Sequence, residues 1–226
     1  MSHSIQPKGF VFVMDNSSTS IDGDLYPNRL IAQKVAIQRL SIYLFSVCHE
    51  TQISLMTMSN TEFGIRSSFT SNLSKIQQTM INISSGGFLL LEKSLKTSFL
   101  LFNHLNEEIN DRHVIIFIGS NHDLTDEKKI NQLKAELKKR FIYLSFVILD
   151  NGINSLNLLK EISSFEFLDV SNTRNLLSDL VLASKIGTGS VKPQISLKSL
   201  KKSNPDLYLA TKESLVQFKK TTDDKI

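Results

Sequence analysis

The chain has 226 residues, 41% of them hydrophobic, and a net charge of +4. That is enough for one sizeable core plus a tail. The single cysteine, Cys48, excludes an internal disulfide framework and a cysteine-rich zinc site, and sets a reducing, intracellular compartment as the expectation. No apolar run has the length of a membrane span, and Met1-Ser2-His3-Ser4 does not begin a basic-then-apolar leader.

The first run, Phe10-Val11-Phe12-Val13-Met14, is apolar at every position, as a strand buried on both faces is. It ends in Asp15-Asn16-Ser17-Ser18-Thr19. After a polar loop, Pro27-Asn28-Arg29 opens a long amphipathic stretch through Leu44. Similar runs at residues 53–58, 114–118, 141–149 and 165–170 alternate with helical patterns. This order predicts a doubly wound α/β fold, a mostly parallel sheet with helices on both faces. Residues 63–69 alternate in polarity, as an antiparallel edge strand does. Helices are expected at 71–83, at 89–105 (well buried), at 154–163 and, closing the domain, at 176–183. A further helix is expected to take Thr125 as its N-cap, with Asp126 and Glu127 in its first turn. Its apolar stripe is Ile130, Leu133 and Leu137, and Lys138, Lys139 and Arg140 fill its last turn. Cys48, late in the first helix, reads as a small core residue.

The pattern changes after Ile186. Gly187-Thr188-Gly189-Ser190 and Pro193 mark the end of the compact unit. The divisions are therefore a domain over 1–190, a linker over 191–203, a helix over 204–219 and a disordered terminus over 220–226. Residues 191–226 hold eight lysines against four acidic residues, so the tail carries the whole net +4. The lysines are not regularly interleaved with aromatic side chains as a base-stacking platform needs, Tyr208 and Phe218 being the two aromatics there, so a solvated linker is expected and not a nucleic-acid surface. In 204–218, Asn204 is an N-cap, Pro205 fits the first helical position and Asp206 favours the helix dipole. Such a lone amphipathic helix frays unless it docks on a partner.

In sheets of this kind, function sits at the carboxyl ends of the strands. Asp15 is there, as a ligand or as a cap for backbone amides. Asn121-His122-Asp123 lies on the same edge. A catalytic reading would pair His122 with Asp15 or Asp123, but no Gly-x-Ser-x-Gly elbow accompanies them, and His122 reads as a solvated loop residue. Gly187-Thr188-Gly189-Ser190 lacks the Gly-Lys-Ser/Thr ending of a phosphate loop. No catalytic residue is assigned, and the chain is not expected to be an enzyme.

Asp15-Asn16-Ser17-Ser18-Thr19 resembles the Asp-x-Ser-x-Ser loop of von Willebrand factor A domains. In adhesive members of that fold the loop helps hold a divalent cation, together with a threonine from a second loop and an aspartate after the central strand. Here the second loop reads Ser84-Ser85-Gly86-Gly87-Phe88-Leu89, and the central strand ends Phe117-Ile118-Gly119-Ser120, with Ser120 in the aspartate's place. One carboxylate with hydroxyls is a poor magnesium site, so no metal and no other cofactor is expected.

Further matching segments are Pro27-x-Arg29-Leu30-x-Ala32-Gln33, the lysine-rich helix after Ser120 and the Gly187-Thr188-Gly189-Ser190 ending. With these the chain is similar to the family of ubiquitin-receptor subunits of the proteasome regulatory particle. The tail resembles a ubiquitin-interacting motif. Leu207, Leu209, Ala210 and Ser214 match its Leu-x-Leu-Ala-Leu and serine pattern, Thr211 replaces a leucine, and Lys201-Lys202 stand where an acidic run normally precedes it. The resemblance implies a non-catalytic scaffold and receptor that bridges lid and base. Asp15, Asn16, Ser17 and Ser120 would lie on the docking edge, and Leu207, Leu209, Ala210, Thr211 and Ser214 would contact ubiquitin. The implied partners are proteasome lid and base subunits and polyubiquitin, with no nucleic acid and no membrane. The chain would be a monomeric subunit of a hetero-oligomer, cytoplasmic and nuclear. Three rivals carry weaker signals. An A-domain scaffold of a transcription or repair complex would bring cysteine-rich zinc modules, an adhesion domain needs the missing metal ligands, and a hydrolase needs an activated nucleophile.

Overall fold

The structure is a computed structural model, and it describes residues 6–150, 152–171, 177–184 and 186. The linker, the tail helix with its five ubiquitin-contact candidates and the Gly187–Ser190 segment lie outside the described residues. The strands are β1 (Lys8–Met14), β2 (Gln52–Thr57), β3 (Gly64–Thr70), β4 (Asp111–Ile118), β5 (Ile142–Ile148) and β6 (Glu166–Asp169). The helices are α1 (Arg29–Val47), α2 (Leu73–Ile81), α3 (Leu91–Leu101), α4 (Glu127–Arg140), α5 (Leu156–Ile162) and α6 (Leu177–Ala183).

One six-stranded sheet runs in the order β3-β2-β1-β4-β5-β6. All pairings are parallel except β2 with β3, so the alternating segment is indeed the antiparallel edge. The sheet feeds two cores. Val11, Val13, Ile116 and Phe146 point to the side packed by α3, α4 and α5. Phe10, Phe12, Met14, Ile115 and Phe117 point to the side packed by α1, α2 and α6. A strand that must bury both parities has no polar position to offer, which is why these runs read as continuous.

Several local expectations need correcting. α1 buries 14 of its 19 residues, including Gln33, Lys34 and Gln38, so it is an interior helix and not a one-faced amphipathic one. Cys48 is its half-exposed C-cap, not a core residue. The cap of α4 is Asp126, whose side chain accepts from the Lys128 N–H; a carboxylate displaces the neighbouring hydroxyl of Thr125 from that role. α3 begins only at Leu91, because Leu90 N–H is tied to Met58 C=O at the end of β2, and it passes into a 3-10 turn at Phe102. Phe141 does not open β5; it ends α4 in the left-handed region, with φ of 53°.

Candidate functional site

Strand order reverses on either side of β1, so the crevice at the carboxyl ends of β1 and β4 is the topological switch point of the sheet. Asp15 follows β1 and Gly119-Ser120 follow β4. The structure brings three of the four docking-edge candidates into direct contact. Asp15 Oδ1 accepts from Ser17 N–H at 2.9 Å and from the Ser17 hydroxyl at 2.6 Å. Its Oδ2 accepts from Gly119 N–H at 2.7 Å and from the Ser120 hydroxyl at 3.0 Å. The Ser17 and Ser120 hydroxyls are 2.9 Å apart, and Thr19 Oγ1 lies 3.2 Å from Ser17 Oγ. Asp15 is thus a four-fold acceptor that latches the first loop to the central one.

That arrangement decides the cation question on the donors present. A hard divalent ion takes six or more oxygens and favours several carboxylates. Here the one carboxylate of the ring already accepts two backbone amides and two hydroxyls, and positions 17, 19 and 120 add only neutral oxygens. The set does not fit a magnesium site. Among the described residues no group of three or more His, Cys, Asp or Glu side chains is placed to hold a metal.

Asn16, the fourth candidate, works in the other direction. Its Oδ1 accepts from Met58 and Ser59 N–H at the end of β2, and its side-chain amide donates to Ser84 C=O. Gly86 N–H in turn donates to Asn16 C=O, and Ser18 N–H to Gly87 C=O. Gly87 has φ of 71°, and any Cβ there would collide with Asn60 Oδ1. Asp15, Asn16 and Ser17 are all buried, while Ser120 is half-buried. They organise the edge and do not themselves form its outer surface.

Three residues outside the docking-edge candidates complete the frame. Gln33 pairs both backbone groups of Asp15: its Oε1 accepts from Asp15 N–H at 2.9 Å, and its amide donates to Asp15 C=O at 3.0 Å. Arg29, almost fully buried, donates through Nε and Nη2 to Asp24, through Nη2 to Asp150 at 2.9 Å and through Nη1 to Gly119 C=O. The Arg29 hydrogen bond holds the Asp24 carboxyl below its ordinary range. Burial works against the Arg29 charge, yet the two carboxylates still raise its pKa. Gly119 lets the Arg29 stem pass, since a Cβ there would stand 3.1 Å from Arg29 Cδ. Asp123 caps α3 from outside, accepting from Leu91 and Glu92 N–H. The Pro27-x-Arg29…Gln33 segment and the motif Asp15-Asn16-Ser17 were visible as matches; their bonding was not.

His122 is buried, against the expectation of a solvated loop residue. Its Nδ1 accepts from Leu124 N–H at 3.3 Å, and burial pushes its pKa down. Neither Asp15 nor Asp123 hydrogen-bonds it; their carboxylates hold backbone amides. The rim outside these buried groups carries exposed large apolar side chains among polar ones such as Ser18, Thr19 and Asp22. Ile21 and Phe88 are each 60% exposed and Tyr26 79%.

Residues 10–122 match the von Willebrand factor type A domain family. The chain is 25% identical over 206 residues to the 26S proteasome regulatory subunit rpn10 of Schizosaccharomyces pombe, covering 88% of this chain and 84% of that protein. It is 28% identical over 165 residues to the 26S proteasome non-ATPase regulatory subunit 4 of Schistosoma mansoni, covering 73% of this chain but only 37% of that protein. The Drosophila melanogaster protein of the same name is 28% identical, and 46% of its length is covered. The chain thus spans most of the yeast relative and less than half of the other two. The crystal structure of the SpRpn10 VWA domain superposes with a TM-score of 0.72 at 24% identity, over 82% of this chain and 99% of that one. A von Willebrand factor type A structure from Catenulispora acidiphila superposes with a TM-score of 0.60 at 12% identity, over 77% of this chain and 41% of that one. Both likenesses show the fold.

Proposed function

The chain belongs to the von Willebrand factor type A domain family, and on that premise we propose that it is a non-catalytic subunit of the proteasome regulatory particle, whose A domain bridges lid and base and whose C-terminal helix captures polyubiquitinated substrates. The observation that carries this reading is the similarity to the fission yeast regulatory subunit along 88% of the chain. The site chemistry supports it. At the switch point the acidic and hydroxyl groups are consumed in holding backbone, and a buried carboxylate saturated by four donors is neither a general base nor a metal ligand.

Docking at this edge is then the work of the rim. Ile21, Tyr26 and Phe88 supply exposed apolar contact points, and the Asp15, Asn16, Ser17 and Ser120 latch fixes the loops that carry them. Rigid presentation lowers the ordering cost of association. Ubiquitin capture is assigned to Leu207, Leu209, Ala210, Thr211 and Ser214 on their motif pattern in the sequence. A single site with Thr211 and an upstream Lys201-Lys202 pair is weak, and repeated ubiquitin units along a chain offset that through avidity. The subunit is read as a monomer within its hetero-oligomer, cytoplasmic and nuclear, with no nucleic-acid or membrane partner.

The test is a pull-down of tagged full-length chain from its native lysate, read by mass spectrometry, beside Phe88→Lys and a double variant Ala210→Gly plus Ser214→Ala. Lid and base subunits recovered with the wild type and lost with Phe88→Lys support docking through the edge. Ubiquitin conjugates lost only from the double variant support the receptor helix. Recovery of a repair complex, or of no stable complex, overturns the reading.

A further inference from the structure

The other end of the sheet carries a feature that the fold does not explain. Phe141 terminates α4 with φ of 53°, its N–H bonded back to Leu137 and Lys138 C=O. Glycine or asparagine normally takes that left-handed position, because a Cβ is strained there. The Phe141 ring gains nothing from folding in return, being 80% exposed. The two bonds from the Phe141 N–H offset the strain in part, but they need no aromatic side chain, and the ring itself is left for contacts from outside.

Beside this ring is a groove of about 390 Å³ between the end of α4, the start of β5 and the end of α5. Leu137 and Ile162 contribute to its apolar floor, and Lys134, Lys138 and Glu161 stand at its margin. Glu161 is engaged by Lys134. With Lys134 paired to Glu161, Lys138 is the remaining cation at the margin, and exposed Lys139 follows it on α4. Charges at a helix C-terminus answer the helix dipole. That accounts for basic residues in the last turn, but not for a large aromatic held open among them.

We propose that this groove is a docking site for an acidic segment of a partner protein that carries a large apolar side chain, with Phe141 as the contact anchor and Lys138 and Lys139 pairing its carboxylates. Charge selects this occupant over the two nearer ones. A second copy of the chain would present the same cations to itself. The chain's own residues 191–226 are net +4 and follow α6, which packs against α1 on the opposite face of the sheet. The site lies at the amino ends of the strands, away from the switch-point edge, so it does not rest on the docking reading given above.

The probe is a fluorescein-labelled Asp/Glu-rich peptide with a central Leu-Phe pair, titrated with full-length chain and read by anisotropy. Binding should weaken as salt is raised. It should drop at least about tenfold in Phe141→Asn, and in the double variant Lys138→Glu plus Lys139→Glu, while Phe88→Lys at the opposite edge leaves it unchanged. Asparagine suits the left-handed position, so the first variant stays folded. A peptide with serine in place of Leu-Phe, and one with lysine in place of the acids, should not bind. Equal affinity of Phe141→Asn and wild type, indifference to peptide charge, or no binding of the acidic peptide overturns the proposal. So does replacement of position 141 by a photoreactive benzoylphenylalanine that cross-links only to residues 191–226 or to a second copy.

Discussion

At the carboxyl edge of the sheet polar side chains turn inward, and at the amino edge a large apolar side chain turns outward. Asp15, Asn16 and Arg29 tie the ends of β1, β2 and β4 together through backbone amides and a carbonyl, and Arg29 reaches the end of β5 through the Asp150 carboxylate. Loops there are long, and backbone groups leaving a buried strand need partners, which side chains supply beside loop backbone. At the amino edge α4 returns to β5 almost directly. The turn after α4 satisfies its own amide, which leaves the Phe141 side chain unconstrained by the backbone's needs. The buried polar groups of the carboxyl edge thus hold the loops that carry its exposed rim, whereas the ring at the amino edge is presented by a helix terminus.

Substitutions separate the two ends. Asp15→Ala leaves the amides of Ser17 and Gly119 without their acceptor and should destabilise the chain by about 3 kcal/mol, read by chemical denaturation. A loss below about 1 kcal/mol would mean that the latch is dispensable. Arg29→Lys keeps the charge but loses the fork that spans Asp24, Asp150 and Gly119. Because Asp24 and Asp150 are partly exposed and screened, about 1 kcal/mol is expected, with the effect shrinking in high salt.

Acid should weaken both ends gradually. At the amino edge His113 is buried in a stack between Phe10 and Tyr143, with Asp111 Oδ1 2.8 Å from its Nε2 and Lys8 beyond. Burial lowers its pKa, the Asp111 carboxylate opposing that shift; at the other edge burial lowers that of His122. A histidine with a lowered native pKa is neutral when folded, whereas the unfolded chain takes up a proton near pH 6.5. Its contribution is therefore intact above that pH and is lost as pH falls below it. Asp111, whose desolvation is outweighed by His113 and Lys8, is held at about 2, so its own contribution is lost only further down, between its ordinary value of 3.8 and that pKa. Thermal melts across this range should show the first decline reduced by His113→Phe and by His122→Phe. An unchanged decline in both variants would mean that neither ring is kept neutral by folding. The smallest effect is a gain. Phe141→Asn relieves left-handed strain and should raise stability by about 1 kcal/mol, visible as a higher Tm. A loss would show that the exposed ring packs within the chain after all.

The both-faces apolar runs made the sheet and its helical covering legible, because a strand with helices on each side has no polar parity to display. The edge strand was legible for the opposite reason, its alternating polarity. Individual ends were less so. Thr125 and Asp126 are both good caps, and only the helix axis settled which amide they faced. His122 looked solvated because burial of a loop residue depends on neighbours such as Asn154 that converge only in space.

At the candidate site the sequence by itself determined that Asp15 stands at a strand end with Ser120 where a carboxylate would be needed, and therefore that a cation is poorly served. That follows from residue identity alone, since ligand chemistry is a property of side chains. What only the tertiary structure decided is that Asp15, Asn16 and Ser17 are buried latches, that Arg29 and Gln33 complete them, and that the ring at 141 faces outward. Those outcomes depend on which loops the strand order brings together and on a single φ angle, and neither is written in local pattern.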